Sequence, residues 1–283
     1  SFYFFPFEFS FLPGINTKMI LAAGGLCLML FNMALSQRAQ INRDIFIVSL
    51  FALFVSFASI LSITYNNTPD LSYVTYITSM WVWLAAAFFV VFTMRFVHRA
   101  LSVDLVCSYL IAVGVVQCII AMAIDNVPII KQIVDVFLHG YGFMGKVNGR
   151  LYGIGCALDV AGGRMAVLLV MIAYLLPRSL RHMNFLCYVI PLLLSYCIVA
   201  VIGNMIGRTT TVGLIFSLLY LSFSLISRRD MFYGRKKEFV KCLVFVVVLV
   251  VPLLICLYMM DDYWKEYLRF GFEGFFSLIE KGE

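Results

Sequence analysis

Eight long apolar runs divide this chain, and they constrain its fold more than any other feature of the sequence. Each run is roughly 20 residues long, so a helix rising about 1.5 Å per residue would cross a hydrocarbon core about 30 Å thick. The runs therefore predict transmembrane helices. The predicted spans are residues 19–35, 45–65, 73–94, 101–123, 161–176, 185–202, 209–227 and 240–260.

The composition excludes an ordinary soluble domain. Hydrophobic residues make up 63% of the 283 residues, charged residues make up 13%, and the mean hydropathy is +0.98. Soluble domains contain about 45–50% apolar and about 25% charged residues. We therefore predict an all-α, polytopic integral membrane protein with a single transmembrane domain over residues 1–283.

The charge of the loops predicts the orientation, because Lys and Arg accumulate on the cytoplasmic side of a membrane. Twelve of the 21 basic residues lie in alternate loops with only four acids, a net charge of +8. The other face has nine basic residues and eleven acids, a net charge of −2, and is predicted to be outside together with both ends of the chain. The twelve inside cations are Arg38, Arg43, Arg95, Arg99, Arg178, Arg181, Arg228, Arg229, Arg235, Lys236, Lys237 and Lys241.

The overall charge of +6 reflects this topology, so we expect no nucleic-acid partner. Seven of the eight cysteines lie within or at the ends of apolar runs, and no Cys/His spacing is typical of a metal site. We therefore expect no metal and no other cofactor. The first residue is Ser1 and the chain stops in an aromatic outside segment, which leads us to expect further chain before residue 1 and after residue 283.

The longest outside loop, residues 125–160, is predicted to be an amphipathic or re-entrant segment. Its apolar residues recur at helical spacing, which is typical of a helix lying along the membrane surface. The glycine-rich sequence GYGFMGKVNGRLYGIG follows and permits tight turns and close approach to a ligand. The predicted apolar side carries Val127, Ile130, Val134 and Phe137, and the polar side carries Lys131, Asp135 and His139.

Two further outside segments are rich in aromatic residues. The amino-terminal FYFFPFEFSFLPG predicts an interfacial aromatic belt, or alternatively the lip of a lipid-facing groove. The end segment from Asp261 predicts a second surface-lying stretch. Its lipid side would carry Trp264, Leu268, Phe275 and Phe276, and its water side Asp261, Asp262, Lys265, Glu266 and Arg269.

Three arginines on the outside face are the candidate functional residues. Arg150 follows the glycine-rich loop, Arg164 lies in the first turn of the fifth span, and Arg208 heads the seventh span in GNMIGRTTTVG. An arginine at the centre of a membrane helix costs roughly 2.5 to 3.5 kcal/mol to insert, and a helix start disfavours a cation. A bound anion would explain such cations, because a guanidinium at a helix start is a good phosphate receptor.

Each candidate also has a structural alternative. Arg150 could be a solvated loop residue, and Arg164 could form an ion pair with Asp159, five residues earlier. Arg208 has no acid in its own tight turn, which favours function. We predict Arg208, Arg150 and Arg164 as catalytic residues, and Asp159, His139 and Arg269 as substrate-binding residues.

The run GRLYGIGCALDVAGGRMAVLLVMIAYLL resembles the outside loop and following helix of the O-antigen polymerase and O-antigen ligase superfamily. The run IGNMIGRTTTVGLIFSLL resembles the Ser-Arg helix start of that superfamily, with Gly207 in place of the serine. The runs FPFEFSFLPGINTKMILAAGG and FGFEGFFSLIEKGE resemble segments of capsule and O-antigen repeat polymerases. A second departure from the pattern is Val160, where a proline or asparagine is typical.

The resemblance implies a GT-C-like, metal-independent glycosyltransferase in the bacterial inner membrane, acting at the periplasmic face. Donor and acceptor would be glycans linked to undecaprenyl diphosphate, and a chain-length regulator would be a further partner. We expect a polymerase of lipid-linked repeats, with a ligase acting on a lipid A core as the alternative. A transporter or flippase is a third hypothesis, and it would require polar residues deep in several spans and an internal repeat.

Overall fold

The computed structural model describes residues 1–36, 43–69, 71, 73–139, 150–181, 186–227, 234–260 and 262–281. These residues contain eleven α-helices, two isolated β-bridges and no β-strand. In chain order the helices are α1 (Thr17–Ser36), α2 (Arg43–Asn66), α3 (Tyr76–His98), α4 (Val103–Asn126), α5 (Pro128–Phe137), α6 (Leu158–Ser179), α7 (Leu186–Ile206), α8 (Thr210–Ser227), α9 (Lys236–Met260), α10 (Asp262–Gly271) and α11 (Glu273–Lys281).

Eight of these helices are long and apolar enough to cross a membrane, namely α1 to α4 and α6 to α9. The prediction of an all-α, polytopic membrane protein is thus confirmed. The helices differ from the predicted spans by a few residues at most at each end. The largest extensions take in polar end residues such as Asp159 and Lys236, because helical hydrogen bonding continues past the apolar run.

The chain forms two compact units, one of which comprises Phe2 and Pro6–Leu101. Helices α1 and α3 pack with their backbones in contact at Gly25, where an added Cβ would lie 1.9 Å from the carbonyl oxygen of Ala85. Small residues allow such close approach between membrane helices. Large apolar side chains of α2, including Phe51 and Phe54, are exposed, which is typical of a lipid-facing surface.

The other unit comprises Ser1, Tyr3–Phe5 and Ser102–Glu283, and α6 is its central helix. The side chains of Leu168, Leu169 and Ile172 are fully buried in its core. Helix α8 packs on α6 at Gly213, where an added Cβ would lie 2.2 Å from the Cα atom of Ala166. The single-domain prediction is not decided by this division and stays a prediction.

Helix α5 confirms that the 125–160 loop contains a helix, but the helix ends at Phe137. His139 therefore lies beyond the helix and does not share its polar face. Val134 is buried, whereas Ile129, Ile133 and Val136 are exposed. Of the predicted apolar stripe, Val134 alone is buried, Ile130 is half-buried, and Val127 and Phe137 are exposed, so the stripe faces the protein only at its centre. Most of the glycine-rich sequence, residues 140–149, lies outside the described residues.

Two expectations about lipid-facing aromatics and leucines need correction. Leu268 of α10 is 5% exposed and belongs to the protein core, so it does not rest on lipid. Phe5 is fully buried, so the amino-terminal segment is only partly an exposed belt. Phe2, Phe11 and Phe275 are exposed as expected. The spacing of apolar residues does not distinguish a face buried by protein from one buried by lipid.

Candidate functional site

The starts of α6 and α8 are locked together in the second unit. An added Cβ on Gly207 would lie 3.0 Å from the Cα atom of Gly162, so the two backbones are in contact. The Thr209 hydroxyl donates to the carbonyl oxygen of Asp159 at 3.0 Å, and the Thr210 hydroxyl donates to that of Gly203 at 2.9 Å. The segments that carry Arg164 and Arg208 are therefore held side by side.

Arg150 and Arg208 share one aromatic ring. The guanidinium carbon of Arg150 lies 4.6 Å from the ring centroid of Phe270, and that of Arg208 lies 4.5 Å from the same centroid. The two guanidinium carbons are therefore at most about 9 Å apart. The Leu151 amide donates to the Met205 carbonyl oxygen at 3.1 Å, which ties the chain beside Arg150 to the end of α7.

Arg208 also forms an ion pair with Glu273, the first residue of α11. The turn around Arg208 contains no acid, as the sequence shows. Its acidic partner comes instead from the end segment of the chain. The two side chains are 47% and 53% exposed. Exposed ion pairs typically contribute only about 0.2–1 kcal/mol, so this pair is readily exchanged for a stronger one.

Arg164 has different neighbours. It donates to the carbonyl oxygen of Gly155 at 3.4 Å, and its guanidinium carbon lies 5.8 Å from the ring centroid of Phe5. Its side chain is half-buried, whereas Asp159 is exposed. The structure thus brings the backbones at Arg164 and Arg208 together but directs their guanidinium groups to separate aromatic residues.

The remaining predicted substrate-binding residues lie at the edge of this region or apart from it. Arg269 is exposed and immediately precedes Phe270 in α10. His139 is exposed after the end of α5. Two of the predicted site residues, Arg150 and Arg208, meet at one point, the ring of Phe270.

A cluster of Tyr and Asp side chains positions α10, and hence Phe270. The Tyr263 hydroxyl donates to the Asp125 carboxylate at 2.5 Å, and the Tyr267 hydroxyl donates to it at 3.1 Å. Burial, and then the charge of Asp125 and the hydrogen bond to it, raise the pKa of Tyr267. Tyr267 therefore remains a hydrogen-bond donor at neutral pH. It lies one helical turn before Phe270, on the same side of α10.

Two contributors were missing from the sequence-based prediction: Phe270 and Phe5. Aromatic residues near a membrane surface are common, so no signal in the sequence distinguishes Phe270 from its neighbours. Glu273 is one of several acids in the end segment. Only the folding of α10 and α11 back over the start of α8 shows which acid meets Arg208.

The arrangement is suited to binding an anion with more than one negative charge. Guanidinium groups form paired, charge-assisted hydrogen bonds to phosphate oxygens. Two of them on one ring, beside a helix start, place positive charge where two neighbouring phosphates could be held.

Fold and site together define a multi-pass membrane protein of α-helices. Arg150 and Arg208, on the ring of Phe270, form a cationic surface at one end of its helices. Comparison with protein-family models, curated proteins and solved structures gives no match to this chain.

Proposed function

We propose that this protein is a membrane glycosyltransferase that polymerises oligosaccharide repeats linked to undecaprenyl diphosphate. The proposal places it in the bacterial inner membrane, with its cationic surface at the periplasmic face. The growing glycan would leave one lipid diphosphate and join the repeat carried by another. A chain-length regulator is the proposed protein partner.

The observation that carries this proposal is the pair of guanidinium groups on Phe270. A diphosphate leaving group gains negative charge as the glycosidic bond to it breaks. Cations already in place beside it stabilise that charge in the transition state more than in the ground state. Arg150 and Arg208 carry such positive charge at most about 9 Å apart, and the side chain of Arg208 is about half exposed.

The location of the pair also supports a lipid-linked substrate. Arg208 lies in the turn that leads into α8, one of the helices able to cross a membrane. The apolar side chains of Ile129 and Ile133, on the short helix α5, are exposed. A substrate with a membrane-embedded tail and a diphosphate head would meet both kinds of surface.

A reconstituted assay tests the proposal. The protein is placed in lipid nanodiscs with radiolabelled undecaprenyl-diphosphate-linked repeats and excess chelator, and the products are separated by size. A ladder of polymers is the expected result. Arg208→Lys should reduce the ladder strongly while the protein remains folded. Failure of the wild-type protein to extend any lipid-linked repeat would contradict the proposal.

The same assay separates the polymerase from the ligase. Adding a lipid A core as competing acceptor should leave the ladder unchanged for a polymerase. Transfer of label onto the core, without extension of the lipid-linked repeat, would identify a ligase. Movement of labelled lipid across the bilayer without any new glycosidic bond would identify a transporter instead.

A further inference from the structure

The carboxylate of Glu273 occupies the position on Arg208 that an anionic substrate would take. Both side chains are about half exposed, so the pair opens to solvent rather than to the core. Glu273 is also the first residue of α11, where the helix dipole stabilises a negative charge. The carboxylate is therefore weakly held, next to the proposed diphosphate site.

We propose that Glu273 exchanges with the substrate diphosphate on Arg208 and, once released, acts as the general base for the acceptor hydroxyl. This inference rests on the proposed glycosyl transfer. Diphosphate carries more charge than one carboxylate and binds guanidinium groups in a paired geometry, so it displaces Glu273. The exchange leaves a free carboxylate within a few ångströms of the leaving group.

The chemistry balances without a further reactant. The acceptor hydroxyl gives its proton to the Glu273 carboxylate as its oxygen bonds to the anomeric carbon of the donor glycan. The bond from that carbon to the diphosphate oxygen breaks, and the electron pair stays on the diphosphate. Arg208 and Arg150 stabilise the charge that develops there. Glu273 then returns its proton to solvent and re-forms the ion pair when the diphosphate leaves.

Glu273 fits this role better than Asp159, the other acid near the helix starts. The hydroxyl of Thr209 contacts the backbone carbonyl of Asp159, not its carboxylate. Glu273 touches Arg208 directly with its carboxylate. A base must come within hydrogen-bond reach of the proton that it takes, and proximity to the leaving group satisfies that condition for Glu273.

The test uses Glu273→Gln, which keeps size and removes charge, and measures binding and turnover separately. Binding of inorganic pyrophosphate to the full chain in detergent and chelator should become roughly two- to fivefold tighter, because the competing carboxylate is gone. Turnover of the lipid-linked repeat should fall roughly a hundred- to ten-thousandfold, because the base is gone. Glu273→Asp should restore part of the turnover.

Glu266→Gln is the matched control, since Glu266 is an exposed acid in the neighbouring helix α10. It removes the same charge from the same region and should change neither quantity.

Tighter pyrophosphate binding with unchanged turnover would contradict the role of Glu273 as general base. Glu273 would then only compete with the diphosphate for Arg208. Weaker binding together with a loss of folded protein would overturn the whole inference in favour of a structural ion pair. If wild-type protein transfers no glycan but Glu273→Gln still binds pyrophosphate more tightly, the proposed function and the base both fail while the exchange on Arg208 stands.

Discussion

Gly207, in the turn that leads from α7 into α8, lies so close to Gly162 of α6 that the two backbones touch. A Cβ added to Gly207 would come within 2.8 Å of the carbonyl oxygen of Leu158 as well as 3.0 Å from the Cα atom of Gly162. This contact leaves no room for a side chain at position 207.

The first prediction follows from that contact. Gly207→Ser should destabilise the protein by about 1–3 kcal/mol, because an added side chain forces the two backbones apart. Thermal unfolding in detergent measures the effect. Gly163→Ala is the control: its Cβ would meet nothing within 4 Å, and alanine favours a helix by about 0.5–1 kcal/mol. A Gly207→Ser protein as stable as the wild type would contradict the prediction.

The second prediction concerns the ring that Arg150 and Arg208 share. Phe270→Leu keeps an apolar side chain but removes both cation–π contacts, each contributing about 0.5–1 kcal/mol at exposed sites. Glycan extension should therefore fall roughly 5- to 30-fold. Phe270→Trp should retain most activity. Phe275→Leu changes an exposed phenylalanine in α11 and serves as control. Equal losses in both Leu variants would show a general effect on the surface helices.

The helices were predictable from the sequence because their signal is local. A continuous apolar run such as 209–227 can be recognised from consecutive residues alone. Helix α8 occupies almost the same positions. The environment of each helical face was less predictable. Leu268 and Phe5 were predicted to face lipid but pack in the protein core. The sequence does not distinguish the two environments, because both favour apolar side chains.

The candidate site was predictable only in part, for a related reason. Helix-start arginines stand out individually because a cation is unfavourable there, and this singled out Arg208. Their partners do not stand out, because Phe270 and Glu273 lie far along the chain. The short helices α10 and α11 bring them to Arg208, and their position depends on tertiary contacts such as that of Gly271 with Asn204. No spacing rule in one sequence encodes such contacts.

The third prediction is a pH dependence of stability that comes from Tyr267. Its pKa in the folded protein is raised above the ordinary value of 10.0. Below pH 10 the tyrosine is protonated in both the folded and unfolded chain, so stability does not vary through this group. Above that pH the unfolded chain loses the proton first, and stability falls until the folded protein also ionises.

Unfolding temperatures between pH 8 and pH 11.5 test this behaviour. Tyr267→Phe should be less stable at pH 8, because one hydrogen bond to Asp125 is lost, and its unfolding temperature should decline less steeply above pH 10. Tyr65→Phe alters a tyrosine that is 90% exposed and should follow the wild-type curve. Parallel curves for wild type and Tyr267→Phe would contradict the assignment.

The fourth prediction tests the orientation that loop charge implies. Reporter fusions should show a periplasmic location after three positions and a cytoplasmic location after four others, because the two sets of loops differ in net charge. A reversed pattern would place the arginine surface inside and contradict the proposed function. The periplasmic positions are Asn66, Asp125 and Asp262, and the cytoplasmic positions are Gln40, Arg99, His182 and Gly234.

The fifth prediction concerns the difference between Arg208 and Arg164. Arg208→Lys keeps the charge but loses the planar fork, so glycan extension should fall roughly ten- to a thousandfold while the protein still accumulates in the membrane. Arg164 contacts Phe5 and the Gly155 carbonyl oxygen rather than Phe270. Arg164→Ala should also shorten the polymer if its guanidinium reaches the diphosphate, and should lower abundance instead if it neutralises Asp159.

The double variant Arg164→Ala/Asp159→Asn separates these two roles. An ion pair that only stabilises the fold can be replaced as a unit, since removing both charges leaves no unpaired charge behind. Recovery of both abundance and polymer length would therefore assign Arg164 to the fold. Recovery of abundance without polymer would assign it to the donor site, because no neutral residue can replace a cation that stabilises the leaving diphosphate. Membrane abundance by immunoblot and polymer length by gel separation are measured on the same cells.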